Sequence, residues 1–198
     1  LAHGNPVMPG TMMSFPLSLV HVLERAGRLF PRREIVSRLP DRTLFRYTYA
    51  DFHRRSRALA QALTRCGLQR GDRVATLMWN HHVHLEAYFG VPCAGGVLHT
   101  LNLRLHPDSI AYIANHARDR FLIVDESLLP LLAQFRDAVD FERVIVARSS
   151  GAALPGDCDD YEAFISQSTG DFRYPPIAED DAAGMCYTSG TTGMPKGV

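Results

Sequence analysis

Short apolar segments alternate with helical segments along the middle of the chain, and this rhythm constrains the fold more than any other feature. Four segments have the composition of buried strands: residues 73–79, 97–100, 121–124 and 144–147. Between them, helical periodicity predicts helices over residues 80–94, 107–117 and 127–139. Repeated strand–helix–strand units with short connections favour an α/β fold, in which helices cover both faces of a mostly parallel sheet.

A helix and a β-hairpin are predicted before this region. An amphipathic helix over residues 17–30 would end at Pro31. Its apolar face would hold Leu19, Val22, Leu23, Ala26 and Phe30. Residues 34–39 and 44–48 alternate around Pro40-Asp41-Arg42, which is typical of a hairpin.

The next helix is predicted to begin at a capping box and to end at Cys66. Thr48 and Asp51 have the spacing of that box, and Gly67 suits the position after the helix. The basic run Arg54, Arg55 and Arg57 is interpreted as a solvated face. After residue 147 we expect a loop over 149–160, a short helix over 161–166, another loop over 170–181 and a final strand over 182–187.

The segment YTSGTTGMPKGV, residues 187–198, follows that final strand and carries the strongest chemical signal. Glycines and hydroxyl residues alternate in it, so successive backbone N–H groups can converge on an anion. Lys196 is the only lysine among 21 Lys and Arg residues, and it adds a compact charge that suits a phosphate. We call residues 188–196 the terminal loop. A plain polar connector is the alternative interpretation of this segment.

The terminal loop differs from the loop of nucleoside triphosphatases. That loop has Gly-Lys-Ser/Thr leading into a helix, whereas Gly197 and Val198 follow Lys196 here. Pro195 also disfavours helical backbone at Met194. The sequence therefore predicts a loop between strands, at the carboxyl end of a strand, where open α/β sheets bind ligands.

Bulk composition excludes several classes of function. The formal net charge is zero and the pI is about 7.3, so net charge gives no case for nucleic acid or an anionic membrane as partner. No apolar run approaches the ~20 residues of a membrane-spanning helix, and residues 1–13, expected to be flexible, do not resemble a signal peptide. Four widely spaced cysteines, Cys66, Cys93, Cys158 and Cys186, predict reduced thiols in a cytoplasmic protein.

Other clusters of polar or aromatic residues are assigned structural roles. His81, His82 and His84 lack a nearby Cys or carboxylate that would complete a metal site. The acidic residues Asp157, Asp159 and Asp160 lack the spacing of a calcium loop, so they are expected to solvate a turn. Trp79, Tyr88 and Phe89 are predicted to lie in the core.

The terminal loop resembles the phosphate-binding signature of the adenylate-forming superfamily, which includes acyl-CoA synthetases, luciferase and peptide-synthetase adenylation domains. The resemblance extends to Glu34-Ile35-Val36, Tyr47-Thr48-Tyr49 and Gly71-Asp72-Arg73-Val74-Ala75. Residues 79–102 are most similar to medium- and long-chain fatty-acyl-CoA ligases, and ligases for short or sulfur-containing acids are similar there too.

This resemblance implies an ATP-dependent, AMP-forming fatty-acid–CoA ligase with Mg²⁺ as cofactor and coenzyme A as co-substrate. By the same resemblance, the phosphates of ATP would contact Thr188, Ser189, Gly190, Thr191, Thr192, Gly193 and Lys196, with Lys196 as the catalytic residue. The protein ligand of the metal stays unassigned. Residues 14–181 would form the N-terminal α/β part of the large domain, and residues 182–198 its strand and phosphate-binding loop.

Alternatives remain open from the sequence alone. Because the later motifs of the superfamily are absent, the 198 residues are expected to be an N-terminal fragment that is inactive by itself. A non-catalytic module that binds phosphate or a protein partner is the second hypothesis. Within the enzymes, a ligase for a short-chain, sulfur-containing or aryl acid is an alternative. The partners would be small-molecule substrates without nucleic acid, and a homodimer is one option for the assembly.

Overall fold

A helix and a β-hairpin precede the central sheet, as the sequence predicts. The computed structural model describes residues 15–39, 41–167, 171–188 and 195–198, together with Gly10. The first elements are α1 (Leu19–Leu29), β1 (Glu34–Arg38) and β2 (Leu44–Thr48), and the two strands pair antiparallel. Apart from Gly10, the segment 1–13 that was expected to be flexible lies outside the described residues.

The buried face of α1 is narrower than the sequence predicts. Leu23 is fully buried, whereas Val22 and Phe30 are 52% and 42% exposed. The helix lies at the periphery and packs on one side only, against the following helices. Its predicted apolar face was therefore partly wrong, because a peripheral helix buries a stripe rather than half of its circumference.

The helix α2 (Tyr49–Arg65) begins at the predicted capping box. Thr48 Oγ1 accepts from the backbone N–H of Asp51 at 3.2 Å, and the Asp51 carboxylate accepts from the backbone N–H of Thr48 at 3.1 Å. After the C-cap Cys66, Gly67 has φ +84°, a left-handed conformation that glycine adopts without strain. Both ends of this helix were predicted correctly from local sequence.

Six parallel strands form the central sheet. They are β3 (Arg73–Leu77), β4 (Val97–Thr100), β5 (Asp119–Asp125), β6 (Arg143–Ala147), β7 (Cys158–Asp160) and β8 (Gly184–Met185), in the spatial order β7-β6-β5-β3-β4-β8. Because β4 and β5 lie on opposite sides of β3, the chain reverses its direction across the sheet after β4. The predicted loop over 149–160 missed β7, and the predicted strand over 182–187 is shorter in the sheet than expected.

Helices cover both faces of this sheet, which confirms the predicted fold class. They are α3 (His82–Cys93), α4 (Pro107–Ala117), α5 (Leu129–Leu132) and α6 (Tyr161–Ser166). Alternate residues of β5 belong to two hydrophobic clusters: Phe121 and Ile123 pack with α1, α2, α3 and α6, and Leu122 and Val124 with α4 and α5. Burial on both faces explains why the strands have continuous apolar sequences.

The predicted helix over residues 127–139 is wrong. A 3-10 helix over Glu126–Leu128 leads into α5, and a second 3-10 helix spans Arg136–Ala138. Pro130 lies in the first turn of α5, where its missing N–H is tolerated, but it could not lie further inside one long helix. Phe135 then leaves helical geometry with φ −136°, which turns its buried side chain toward the core.

The basic run on α2 is also not a solvated face. Arg55 Nε donates to Glu86 at 2.7 Å, and its two terminal nitrogens donate to Glu162 at 2.8 and 2.6 Å. Arg57 donates to the backbone carbonyl of Phe172. Only Arg54 lies in solvent as expected. The run therefore connects α2 to α3 and α6.

Two aromatic residues predicted to lie in the core are on the surface. Trp79 is 49% exposed and Tyr88 is 45% exposed, while Phe89 is half-buried against the core. Trp79 follows the carboxyl end of β3, where the chain has already left the sheet, and Tyr88 lies on the outer side of α3. Within the described residues, no helix is long and apolar enough to cross a lipid bilayer.

Candidate functional site

A small antiparallel hairpin forms the base of the terminal loop. Its strands are β9 (Tyr187–Thr188) and β10 (Lys196–Gly197), with Thr188 opposite Lys196. Backbone hydrogen bonds between Cys186 and Val198, at 3.0 and 2.9 Å, extend the pairing. The described residues on either side of the loop therefore belong to strands, as the sequence predicts, and Cys186 separates β9 from β8 in the main sheet.

Only part of the predicted phosphate-binding set can be placed. Thr188 and Lys196 are adjacent across the hairpin and both are exposed. Ser189, Gly190, Thr191, Thr192 and Gly193 lie outside the described residues. Among the described residues, no hydrogen bond or salt bridge engages the Lys196 ammonium, so its charge is available to an anion. The hairpin therefore brings the first hydroxyl of the set next to its only cation.

Tyr187 attaches this hairpin to the body of the domain. Its hydroxyl shares a 2.6 Å hydrogen bond with His116 Nδ1 at the end of α4. Its ring lies 5.2 Å from the ring of His99 on β4, measured between centroids. A Cβ on Gly197 would lie 3.0 Å from the Tyr187 ring, so β10 and this ring pack closely together. Side chains from β4 and α4 thus contact the residue that precedes the loop.

His99 itself is fixed by a buried carboxylate. Both His99 and Asp119 have fully buried side chains, and His99 Nδ1 lies 2.8 Å from each carboxylate oxygen. Burial raises the pKa of the Asp119 carboxyl, and the hydrogen bond from His99 opposes that effect. His99 Nε2 is buried and has no hydrogen-bond partner among the described residues. The ring is held in one orientation from the Nδ1 side.

The comparison with known proteins assigns the family. Residues 23–198 match the profile of the family described as AMP-binding enzyme. The chain belongs to this AMP-binding enzyme family. The matched region includes all of the elements from α2 to the terminal loop.

Two curated relatives and one solved structure illustrate the similarity. A long-chain-fatty-acid–CoA ligase of Thermus thermophilus is 47% identical over 190 residues, which are 96% of this chain and 34% of the relative. A 3-methylmercaptopropionyl-CoA ligase of Ruegeria lacuscaerulensis is 41% identical over 196 residues, 96% of this chain and 36% of the relative. The chain therefore spans about a third of the length of these curated relatives.

The solved structure shares the fold. The crystal structure of the anthranilate CoA ligase AuaEII in complex with anthranoyl-AMP has a TM-score of 0.81 and is 23% identical. The match covers 94% of this chain and 35% of that chain. The predicted architecture, a mostly parallel sheet between helices, is therefore that of the N-terminal part of such proteins.

The histidine cluster before and within α3 has structural roles in this family member. His81 is the N-cap of α3: its Nδ1 accepts from the backbone N–H of Val83, and its Nε2 contacts Asp125 at 2.7 Å. His84 Nε2 contacts the hydroxyl of Thr76 at 3.0 Å. No group of three or more His, Cys, Asp or Glu residues could hold a metal ion in the part of the chain that the structure describes. With its cap at His81, α3 begins two residues after the predicted start at residue 80.

The acidic residues near β7 are paired with arginines. Asp159 contacts Arg143 at 2.8 Å and Asp160 contacts Arg148 at 3.6 Å. Asp157 forms an ion pair with Arg136. Asp160 also accepts from the backbone N–H of Ala163 and thereby caps α6. Their predicted role in solvating a turn is thus incomplete, because they connect neighbouring elements.

The sequence did not indicate the contacts that attach Tyr187 to the domain. His99 and Tyr187 belong to segments with recognisable patterns, but nothing in either pattern places the two side chains together. His116, near the end of α4, carries no motif. The only usable signal was the predicted strand before the terminal loop, and β8 does pair with β4 through Gly184 and Leu98.

Proposed function

We propose that this chain supplies the phosphate-binding part of an ATP-dependent, AMP-forming fatty-acid–CoA ligase. The observation that carries the proposal is the hairpin pairing of Thr188 with Lys196, at the base of a glycine-rich loop, in a chain of the AMP-binding family. In this proposal, residues 14–181 form the α/β part of the large domain and residues 182–198 carry the terminal loop.

The reaction would proceed in two steps. A carboxylate oxygen attacks the α-phosphorus of ATP, the bond to the bridging oxygen breaks, and pyrophosphate leaves with an acyl-adenylate remaining. The thiol of coenzyme A then attacks the acyl carbonyl, loses its proton, and releases AMP. Negative charge accumulates on the departing pyrophosphate, so fixed donors and cations next to it stabilise the first transition state.

In this scheme the terminal loop binds the β- and γ-phosphates. Thr188, Ser189, Thr191 and Thr192 would donate their hydroxyls, and Gly190 and Gly193 would offer backbone N–H groups. Lys196 would neutralise phosphate charge, and the absence of a competing partner among the described residues fits that role. Mg²⁺, when bound, would screen phosphate charge further; we assign no protein ligand to it.

A fatty acid is the proposed substrate class because the relatives at 47% and 37% identity are named as ligases of long-chain and medium-chain fatty acids. The 3-methylmercaptopropionyl-CoA ligase at 41% identity supports a short sulfur-containing acid as the second candidate. The four cysteines are free thiols, which fits the reducing cytoplasm as the proposed location.

The test is acid-dependent exchange of pyrophosphate into ATP by the complete protein, with fatty acids of several lengths, 3-methylmercaptopropionate and benzoate. We expect exchange to be fastest with a fatty acid. Lys196→Ala should lower the exchange rate roughly 10²–10³-fold, as for loss of a transition-state donor, without changing the melting temperature. Lys196→Arg tests whether a charge of different shape suffices.

Two results would contradict the proposal. If no carboxylic acid supports exchange, the chain belongs to a non-catalytic module, the second hypothesis from the sequence. If Lys196→Ala exchanges at the wild-type rate, Lys196 has no role in binding the phosphates. The 198-residue chain alone should be inactive, since it spans about a third of its relatives, and exchange by that chain would refute this expectation.

A further inference from the structure

Tyr187 is contacted by residues from three elements, α4, β4 and β10. His116 on α4 shares a 2.6 Å hydrogen bond with its hydroxyl, and His99 on β4 lies beneath its ring at 5.2 Å. Gly197 on β10 approaches the same ring from the hairpin, and a Cβ at this position would lie 3.0 Å from the ring. The side chain is therefore clamped between the main sheet, a helix and the far strand of the terminal loop.

A buried histidine–carboxylate pair lies beneath Tyr187. His99 and Asp119 are fully buried, and both carboxylate oxygens lie 2.8 Å from His99 Nδ1. Because Nδ1–H is directed at the carboxylate, the imidazole cannot rotate without leaving a buried carboxylate unpaired, which is costly. His99 follows Leu98, which pairs with Gly184 on β8, so the same strand holds both the edge of the sheet and the platform under Tyr187.

The position of Tyr187 sets the position of the predicted phosphate contacts. Thr188 follows it directly, and Lys196 pairs with Thr188 across the hairpin. Neither His99 nor His116 is itself in the predicted phosphate-binding set, and His99 is too deeply buried to touch a substrate. A shift of the Tyr187 backbone would move Thr188, which follows it, and Lys196, which pairs with Thr188. Such a displacement would weaken the proposed contacts with the phosphates and therefore the binding of ATP.

We propose that His99 and His116 are positioning residues, which act through Tyr187 to fix the base of the terminal loop. Asp119 contributes by holding the His99 ring. Only the catalytic part of this inference, the effect on ATP binding, rests on the proposed function. Its structural part, that the clamp restrains Thr188 and Lys196 at the base of the loop, stands independently of what the protein activates.

The structural part is tested by proteolysis. Lys196 is the only lysine in residues 1–198, so within this region a lysine-specific endoproteinase cuts only the Lys196–Gly197 bond. Cleavage requires the hairpin to open, and mass spectrometry identifies the product in the complete protein. Tyr187→Phe removes the hydroxyl contact and should accelerate cleavage about two- to tenfold, the effect of one hydrogen bond. His116→Ala should give the same acceleration.

The coupling between the two residues is the decisive comparison. The double variant of Tyr187→Phe and His116→Ala should be cleaved no faster than either single variant, because both remove one shared interaction. Tyr88→Phe is the matched control, since Tyr88 is 45% exposed and no hydrogen bond of its hydroxyl is found among the described residues. His99→Asn keeps a donor toward Asp119 but removes the platform, and should accelerate cleavage as well.

The catalytic part is tested by pyrophosphate exchange with the same variants. Displacement of the loop should raise the KM for ATP two- to tenfold, with a smaller change in kcat. If Tyr187→Phe and His116→Ala match Tyr88→Phe in both cleavage rate and KM, the inference is wrong. A lower melting temperature with unchanged cleavage and KM would reduce the clamp to a contribution to stability, and would also overturn it. If the wild-type protein shows no exchange at all, the proposed function fails while the cleavage rates still decide the clamp.

Discussion

Replacement of Glu86 by alanine should destabilise the protein strongly. Glu86 lies on α3 with a fully buried side chain. It accepts from Arg55 Nε on α2 and from the hydroxyl of Tyr161 on α6, each at 2.7 Å. Burial raises the pKa of the Glu86 carboxyl, so its negative charge depends on Arg55 remaining in place. One carboxylate thus joins three helices.

The size of the effect follows from what the substitution leaves behind. Breaking a buried ion pair by removing one partner costs about 3–5 kcal/mol. Tyr161, which is 1% exposed, would also keep a hydroxyl without its acceptor. Arg55 retains two hydrogen bonds to Glu162, which places the loss at the lower end. We expect about 3 kcal/mol, or a decrease in melting temperature of roughly 6–12 °C for a chain of this length.

The matched control is Glu162→Ala, which removes the other carboxylate from the same arginine. The Glu162 side chain is 62% exposed, and exposed ion pairs contribute about 0–1 kcal/mol. Urea denaturation followed by far-UV circular dichroism measures the free energy of unfolding of both variants. If Glu86→Ala loses no more stability than Glu162→Ala, then burial is not what makes this network important, and the reasoning is refuted.

Two other predictions concern pH and a helix terminus. Burial lowers the pKa of His82 to about 4 from 6.5, so between these values the unfolded chain binds more protons than the folded protein. The contribution of neutral His82 to the free energy of unfolding should therefore be complete above pH 6.5 and should fall by about 1–2 kcal/mol as the pH drops toward 4, after allowance for partial exposure. His82→Gln should flatten this pH dependence in urea titrations at several pH values. An unchanged slope would contradict the assignment to His82. Thr48→Ala should cost about 0.5–2 kcal/mol because the N-cap of α2 is lost. Thr64→Ala in the same helix removes only a hydrogen bond to the carbonyl of Ala60 and gains helix propensity, so it should not destabilise the protein in the same urea measurement. Equal effects would argue against the capping box.

Local patterns predicted the architecture well because its elements are defined by local chemistry. The capping box at Thr48 and the glycine at position 67 bound α2 in the structure as in the sequence. Pro107 opens α4, and continuous apolar runs give strands buried on both faces. In each case the residues that decide the structure lie within a few positions of one another.

The features that the sequence did not predict depend mostly on contacts between residues far apart in the chain. Arg55 looks solvent-exposed until its partner Glu86, 31 residues further along the chain, is brought beside it. Likewise Tyr187 and His116 are 71 residues apart, and no periodicity connects them. The interrupted helix after residue 126 was an error of a different kind, since Pro130 was present in the sequence and its effect on a long helix was predictable. Contacts between distant segments are decided by the whole packing arrangement.

The strand β8 has a consequence for how the protein folds and fluctuates. It contributes only two residues to the sheet, and its partner strand β4 lies much earlier in the chain, with Leu98 opposite Gly184. Closing so long a stretch of chain costs conformational entropy that two residues of pairing repay poorly. This edge should therefore open more readily than the strands at the centre of the sheet. Its amides should therefore exchange with solvent through local opening, before those of β5 at the centre of the sheet.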